Sequence, residues 1–185
     1  MGNNQLTVVG GQYRGFKLQS PQDQHTHPMG AREKNALFNR LAGRLAGAKV
    51  LDAYAGSGAL AAEALSRGAA EVVLVEKAPK VAAVAQRNLA QLAPQAKNWR
   101  VETSTVSEFA ERATETFDLI IADPPYDRLD LAELSQVARL LALDGVFVLS
   151  HPRKLTPPQF TGLEQISSKS YAGATITFYQ LNMVR

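Results

Sequence analysis

The sequence predicts an α/β fold with a Rossmann-like, mostly parallel sheet, an antiparallel strand pair at its C-terminal end and a small N-terminal β-hairpin/helix extension. Three observations carry this. Short apolar runs recur through the middle of the chain, each followed by helical periodicity, as for strands buried on both faces and joined by helices. The run ending at Asp52 passes through a glycine turn, Gly56-Ser-Gly58, into a helix. Beyond Pro157-Pro158 the alternation of strand and helix stops, and two short runs flank Gly173.

Taken in order, residues 5–9 and 13–18 are β-like runs around Gly10-Gly11, a hairpin pattern. The polar stretch from Ser20 to Gly30, with Pro21 and Pro28, reads as a loop. Over residues 31–46, Leu37, Phe38, Leu41 and Leu45 share one helical face, with Arg40 and Arg44 facing outward. Strands are expected at 49–52, 72–75, 100–102, 118–122 and 146–149. Helices are expected at 58–67, from Pro79 (a residue suited to a first helical turn) to Leu92, and over 130–142. Residues 163–170 and 174–181 form the closing antiparallel pair.

Composition removes several function classes. The chain has 185 residues, 45% hydrophobic and 20% charged, as expected of a globular domain with one core. No apolar run approaches the ~18–20 residues that span a bilayer, so no membrane partner is expected. The opening residues lack a charged segment followed by an apolar one, so the expected setting is cytoplasmic. Without cysteine there is no disulfide scaffold, thiolate zinc site or cysteine nucleophile. Three histidines, His25, His27 and His151, offer too little for a metal cluster, and no metal is expected. Charge is uneven: residues 1–50 carry seven Lys/Arg against two acids, the rest thirteen against fifteen. A basic front of this kind suits phosphates.

The first chemical constellation is Val50-Leu-Asp-Ala-Tyr-Ala-Gly-Ser-Gly-Ala59, with Glu76 after the following strand. Gly56 and Gly58 let a ligand approach the backbone, and an acid at the next strand end can accept hydrogen bonds from ribose hydroxyls. A dinucleotide fingerprint would need glycine at position 61, where this chain has Ala. Asp52 would repel a pyrophosphate but suits a cationic amino group, which favours S-adenosylmethionine over NAD. Asp52, Ala53, Gly56, Ser57, Gly58, Glu76 and Lys77 are the candidate cofactor residues, with Asp123 at a later strand end.

The second constellation is Asp123-Pro-Pro-Tyr126, after the 118–122 strand. Ligands of open α/β sheets sit beyond the carboxyl ends of the strands, so this tetrapeptide shares a crevice with the glycine turn. It suits attack by an exocyclic amine on a methyl sulfonium. Such an amine is conjugated into its ring and weakly nucleophilic. Accepting its N–H groups on the Asp123 carboxylate and the Pro124 carbonyl would favour charge on nitrogen. Tyr126 offers a face for a planar base. Asp123, Pro124 and Tyr126 are the candidate catalytic residues, and Arg14, Lys17, Arg32 and Lys34 the candidate phosphate contacts.

Along nearly its whole length the sequence resembles the bacterial RsmD family of S-adenosylmethionine-dependent 16S rRNA guanine-N2 methyltransferases. The resemblance rests on Val8-Val-Gly-Gly-Gln-Tyr-Arg-Gly-Phe-Lys-Leu18, on Leu51–Leu60 with Glu63–Ala69, on Asp123-Pro-Pro-Tyr126 and on Tyr171-Ala-Gly-Ala-Thr175. It implies a Rossmann-like S-adenosylmethionine methyltransferase fold over residues 1–185, with 1–46 facing RNA and 47–185 the catalytic core. It also implies ribosomal RNA or a small-subunit ribosomal particle as partner, and a monomer is expected. Two departures stand out. Where the family has Arg-Pro-Thr-x-Asp-Arg-Val-Arg-Glu, this chain has residues 27–35, keeping Pro28, Arg32 and a cation at Lys34. Where it has an acid or amide facing the adenine, Thr103-Ser-Thr-Val106 offers only hydroxyls, with Thr105 the best positional match.

Two other classes compete. An amino-methyltransferase could act on another RNA, on DNA or on a protein amide. The chain leaves no room for a DNA target-recognition domain, and a protein-amide enzyme would start the tetrapeptide with Asn. A non-catalytic binder would have no need of Asp52, Glu76 and Asp123 together.

Overall fold

The computed structural model describes residues 6–21, 29–171 and 173–182. Its central sheet has seven strands: β3 (Lys49–Asp52), β4 (Glu71–Val75), β5 (Trp99–Glu102), β6 (Phe117–Ala122), β7 (Leu141–Pro152), β8 (Leu163–Ser170) and β9 (Ala174–Leu181). They run in the order β5-β4-β3-β6-β7-β9-β8. Pairs among β3–β7 are parallel, and β9 joins β7 and β8 antiparallel. This is the predicted Rossmann-like fold with its antiparallel end, and the β8–β9 boundaries coincide with the expected 163–170 and 174–181. The central strands are buried because both faces are covered. One face carries α1 (Ala31–Arg40), α2 (Ala42–Leu45), α3 (Ala59–Ser66) and α4 (Pro79–Leu92). The other carries α5 (Val106–Arg112) and α6 (Leu131–Ala138).

Several boundaries differ from the sequence expectation. The 31–46 helix breaks at Leu41, where the Arg44 N–H bonds the Leu41 carbonyl in a tighter i→i+3 turn, yet Leu37, Phe38, Leu41 and Leu45 are all buried. The 130–142 helix ends at Ala138. Leu141 instead pairs with Phe117 in β6, so strand pairing overrides a helix-compatible run. Helix α5 was not anticipated, although Thr105-x-x-Glu108 forms a complete capping box at its start. Residues 153–162, between β7 and β8, form no helix. Phe160 packs edge-on against Phe147 and Tyr179, and the Tyr179 hydroxyl donates to the Pro158 carbonyl at 2.8 Å.

The N-terminal hairpin forms with strands of only two residues, β1 (Leu6–Thr7) and β2 (Lys17–Leu18). It gains its order by docking on α3. Glu63, fully buried, accepts the Val9 N–H at 2.8 Å and pairs with Arg67. Ser66 receives the Tyr13 N–H on its hydroxyl and the Gln12 N–H on its carbonyl. Gly11 lies so close (φ +75°) that a Cβ would overlap the Ser66 carbonyl. At the far end, fully buried Asn88 of α4 donates to the Gln19 carbonyl (3.0 Å) and the Ser57 carbonyl (2.8 Å) and accepts the Gln19 N–H (2.8 Å). One amide thus joins the end of the hairpin to the glycine turn.

Candidate active site

Parallel pairing of β3 with β4 and β6 sets Asp52 opposite Leu74 and Ile121, so the carboxyl ends of three neighbouring strands lie side by side, the place where open α/β sheets offer a ligand crevice. Asp52 ends β3 with no exposed surface. Its Oδ2 accepts the Ala61 N–H at 3.1 Å, while its Oδ1 is buried without a hydrogen-bond partner among the described residues. Burial pushes its pKa up to about 7, the Ala61 N–H opposes that, and Asp123 and Glu76 push further upward. Ala53 continues from β3, its N–H bonding the Ile121 carbonyl at 2.9 Å. Gly58 caps α3 at φ +78°, a left-handed conformation that glycine adopts without strain, and a Cβ there would press on Leu89 and Leu74.

Glu76, half-buried just beyond β4, accepts the Gly56 N–H (3.0 Å) and the Ala78 N–H (2.8 Å), one on each oxygen. It therefore braces the glycine turn, and each oxygen keeps a lone pair for a ligand hydroxyl. Ser57 is buried, and Lys77 is exposed beside Glu76. The Thr105 hydroxyl is committed to the Glu108 N–H and the Thr105 N–H to the Glu108 carboxylate. The structure thus gives Thr105 the role of helix cap, and leaves the Val106 N–H as a first-turn donor. Tyr54 donates to Glu133 of α6 at 2.7 Å, and Glu133 also accepts the Ser107 N–H at 3.1 Å, which ties the cofactor turn to the start of α5.

Asp123 follows β6, half-buried, and burial raises its pKa to about 6 against a favourable contact with the Ser150 hydroxyl. Pro124 is buried. Tyr126, on a single 3-10 turn, is 39% exposed, and its hydroxyl lies 2.6 Å from Ser150 Oγ. Glu33 of α1 is close enough to act electrostatically on both Tyr126 and Tyr171, so the N-terminal extension borders the mouth of the crevice. Nothing in the sequence singled out Ser150: a serine inside an apolar strand carries no signal until its neighbours are known.

The basic candidates separate. Arg14, Lys17 and Arg32 are exposed, and Arg14 and Arg32 line a surface cavity of about 490 Å³ between the hairpin and α1. Lys34 does not belong with them. It is 3% exposed, its ammonium donates to the Thr7 carbonyl at 2.7 Å, and burial lowers its pKa while Glu63 opposes that. It fastens α1 to the hairpin. His151 is fully buried, with Nε2 2.9 Å from the Thr177 hydroxyl, and belongs to the sheet rather than the crevice. Trp99 sits half-buried on edge strand β5, and Arg153 and Lys154 are exposed. His25, His27 and Pro28 lie outside the described residues. No group of three or more His, Cys, Asp or Glu is arranged to hold a metal, and no helix is long and apolar enough to cross a membrane, among the described residues.

The family described as "Conserved hypothetical protein 95" matches residues 6–180. The chain belongs to this family, the RsmD methyltransferases. Ribosomal RNA small subunit methyltransferase D of Escherichia coli K12 is 39% identical over 127 residues, 69% of this chain and 63% of that protein, so the match spans less than two thirds of the relative's length. YlbH of Bacillus subtilis is 29% identical over 175 residues, covering 92% of this chain and 95% of that one. A solved structure of yhhF from Escherichia coli superposes with a TM-score of 0.85 at 31% identity, covering 96% of this chain and 98% of that one. The expected cofactor of this RsmD chain, S-adenosylmethionine, follows from this membership. The residues fit it. The partnerless Asp52 Oδ1 among mutually repelling carboxyl groups suits a cationic amino acid, Glu76 can accept a ribose diol, and the glycine turn leaves room at Gly56, where a Cβ would meet nothing.

Proposed function

We propose that this chain methylates the exocyclic N2 amine of a guanine in small-subunit ribosomal RNA, with S-adenosylmethionine as methyl donor. The observation that carries the reading is the shared end of the sheet: the Asp52 turn and Asp123-Pro-Pro-Tyr126 end neighbouring parallel strands, close enough for Asp123 to push the Asp52 pKa upward. The name of the Escherichia coli relative supplies the rRNA. Bound cofactor supplies an electrophilic methyl group on a sulfonium. Asp52 is placed to hold its ammonium and Glu76 its ribose.

The remaining work falls to the β6–α6 loop. A stacked base cannot present its amine, so it must leave the stack, and the half-exposed Tyr126 ring at the mouth can replace lost stacking worth ~1–3 kcal/mol. The Asp123 carboxylate accepts one N–H of the amine, and the Pro124 carbonyl, on a proline-stiffened backbone, accepts the other. Positive charge grows on nitrogen only as the methyl is transferred, so Asp123 stabilises the transition state more than the bound substrate. Exposed Arg14, Lys17 and Arg32 on the extension meet backbone phosphates.

Transfer of tritium from labelled S-adenosylmethionine tests the reading, using small-subunit particles, 16S rRNA, DNA and protein fractions as acceptors, followed by nucleoside analysis. Label in N2-methylguanosine from the rRNA or the particle is the expected result. Label confined to DNA, to protein, to another base or to none of the acceptors overturns it.

A further inference from the structure

We propose that Ser150 is a positioning residue for methyl transfer: one buried hydroxyl on β7 holds the Tyr126 ring and the Asp123 carboxylate in a fixed mutual arrangement. The inference rests on the reading of Asp123-Pro-Pro-Tyr126 as the amine-binding tetrapeptide.

Ser150 is out of place by packing alone. Val146 and Val148, on the same face of β7, belong to the apolar cluster, and Ser150 pairs with Ile176 in β9 at 1% exposure. Burying a hydroxyl there costs free energy unless it is bonded. It is bonded, at 2.6 Å to the Tyr126 hydroxyl, and the β6–β7 register, with Ala122 opposite Leu149, sets it beside Asp123, whose carboxylate it favours. A serine hydroxyl has one proton to give and lone pairs to accept. Either hydroxyl can donate across the Tyr126–Ser150 pair, and where Tyr126 donates, the Ser150 proton is left for the neighbouring Asp123 carboxylate.

Two consequences follow for the reaction. Tyr126 sits on a short turn at the rim and is anchored at its far end by this bond, so its ring is held ready for a base. Asp123 receives a donor that favours its charged form, against burial. The other groups around it cannot do this: Asp52 from β3 is an acid, Glu33 of α1 faces Tyr126, and Glu76 faces Asp52. Without Ser150, fewer molecules carry the ionised Asp123 at a given pH.

The test compares the full chain with Ser150→Ala, Ser150→Thr and Asp123→Ala in methyl transfer to small-subunit particles, with kcat followed across pH. Thermal unfolding and the calorimetric affinity for S-adenosylmethionine are measured alongside. Ser150→Ala should lower kcat about 10–100-fold, as for misplaced reacting groups. Cofactor affinity should stay within about twofold, and the acid limb of kcat should move up by about half a pH unit or more, because the lost donor favoured the charged form. Ser150→Thr, which keeps the hydroxyl, should restore most of the rate and the original limb. A Ser150→Ala enzyme with wild-type kcat and an unmoved acid limb overturns the proposal. A rate that falls only with the melting temperature and cofactor affinity, again with an unmoved limb, also overturns it. If Asp123→Ala is inactive in those same assays, the functional reading survives. An Asp123→Ala enzyme with normal turnover removes that reading and this inference together.

Discussion

At Asp52, folding has placed a carboxyl group where ionisation is costly until a cation arrives. Its native pKa of about 7 lies above the ordinary 3.8, so between those values the native state holds a proton that the unfolded chain has released. Stability from this group is therefore full at low pH and is lost as pH rises toward 7. In cofactor-free protein, Asp52→Asn should gain stability over wild type progressively from pH 5 to pH 8, by a few kcal/mol at most, since one pKa unit is about 1.4 kcal/mol, and its melting temperature should rise accordingly. The same variant should bind S-adenosylmethionine more weakly; thermal melts showing a pH-independent difference would reject the assignment. Asp123 should behave differently. Asp123→Ala is expected to lower kcat by ~10²–10³, the scale of preorganised electrostatic groups, with calorimetric cofactor affinity barely changed. Asp123→Asn should lose less, because an amide oxygen still accepts an N–H. Both aspartates were legible from spacing alone, since strand-end acids flanking a glycine turn and a proline pair are local patterns. Ser150, Glu63 and Asn88 are not, because each has a deciding partner 24, 54 or 69 residues away in the sequence.

Among the elements, the buried strands were the readable part. β3 and α4 fall at the expected residues because their apolar periodicity and flanking Gly and Pro agree with their tertiary setting. Sequence and structure part where that agreement fails, as at Leu141, whose pairing with β6 outweighs the helical look of its neighbours. The charge of Lys34 was visible, but its burial depended on the hairpin folding over it. That hairpin has too little strand pairing to stand alone, so its order hangs on α3. Glu63→Ala would leave Arg67 and Lys34 without their buried counter-charge and the Val9 N–H without an acceptor. A loss of about 3–5 kcal/mol is expected in denaturant titrations, the scale for breaking a buried pair. Limited proteolysis should then cut first within residues 8–16; cleavage elsewhere with the hairpin intact would contradict the docking account.

Over the whole molecule, charge is divided as the fold is. The basic extension lies over one face of the sheet, and the crevice it borders is lined by acids. RNA affinity should therefore fall steeply with salt, and replacing Arg14, Lys17 or Arg32 by Ala should each flatten that slope by somewhat under one unit. Lys34→Met should leave it nearly unchanged, and filter binding across a salt series separates the two cases. Asn88 adds a constraint that charge does not. Because its amide is shared by Gln19 and Ser57, the end of the hairpin and the glycine turn cannot open independently without stranding buried polar groups. Opening of either becomes one cooperative fluctuation. Hydrogen–deuterium exchange should thus slow across the hairpin amides when S-adenosylmethionine binds at the turn, and Asn88→Ala should erase that distant protection while leaving exchange within β6 and β7 unaltered.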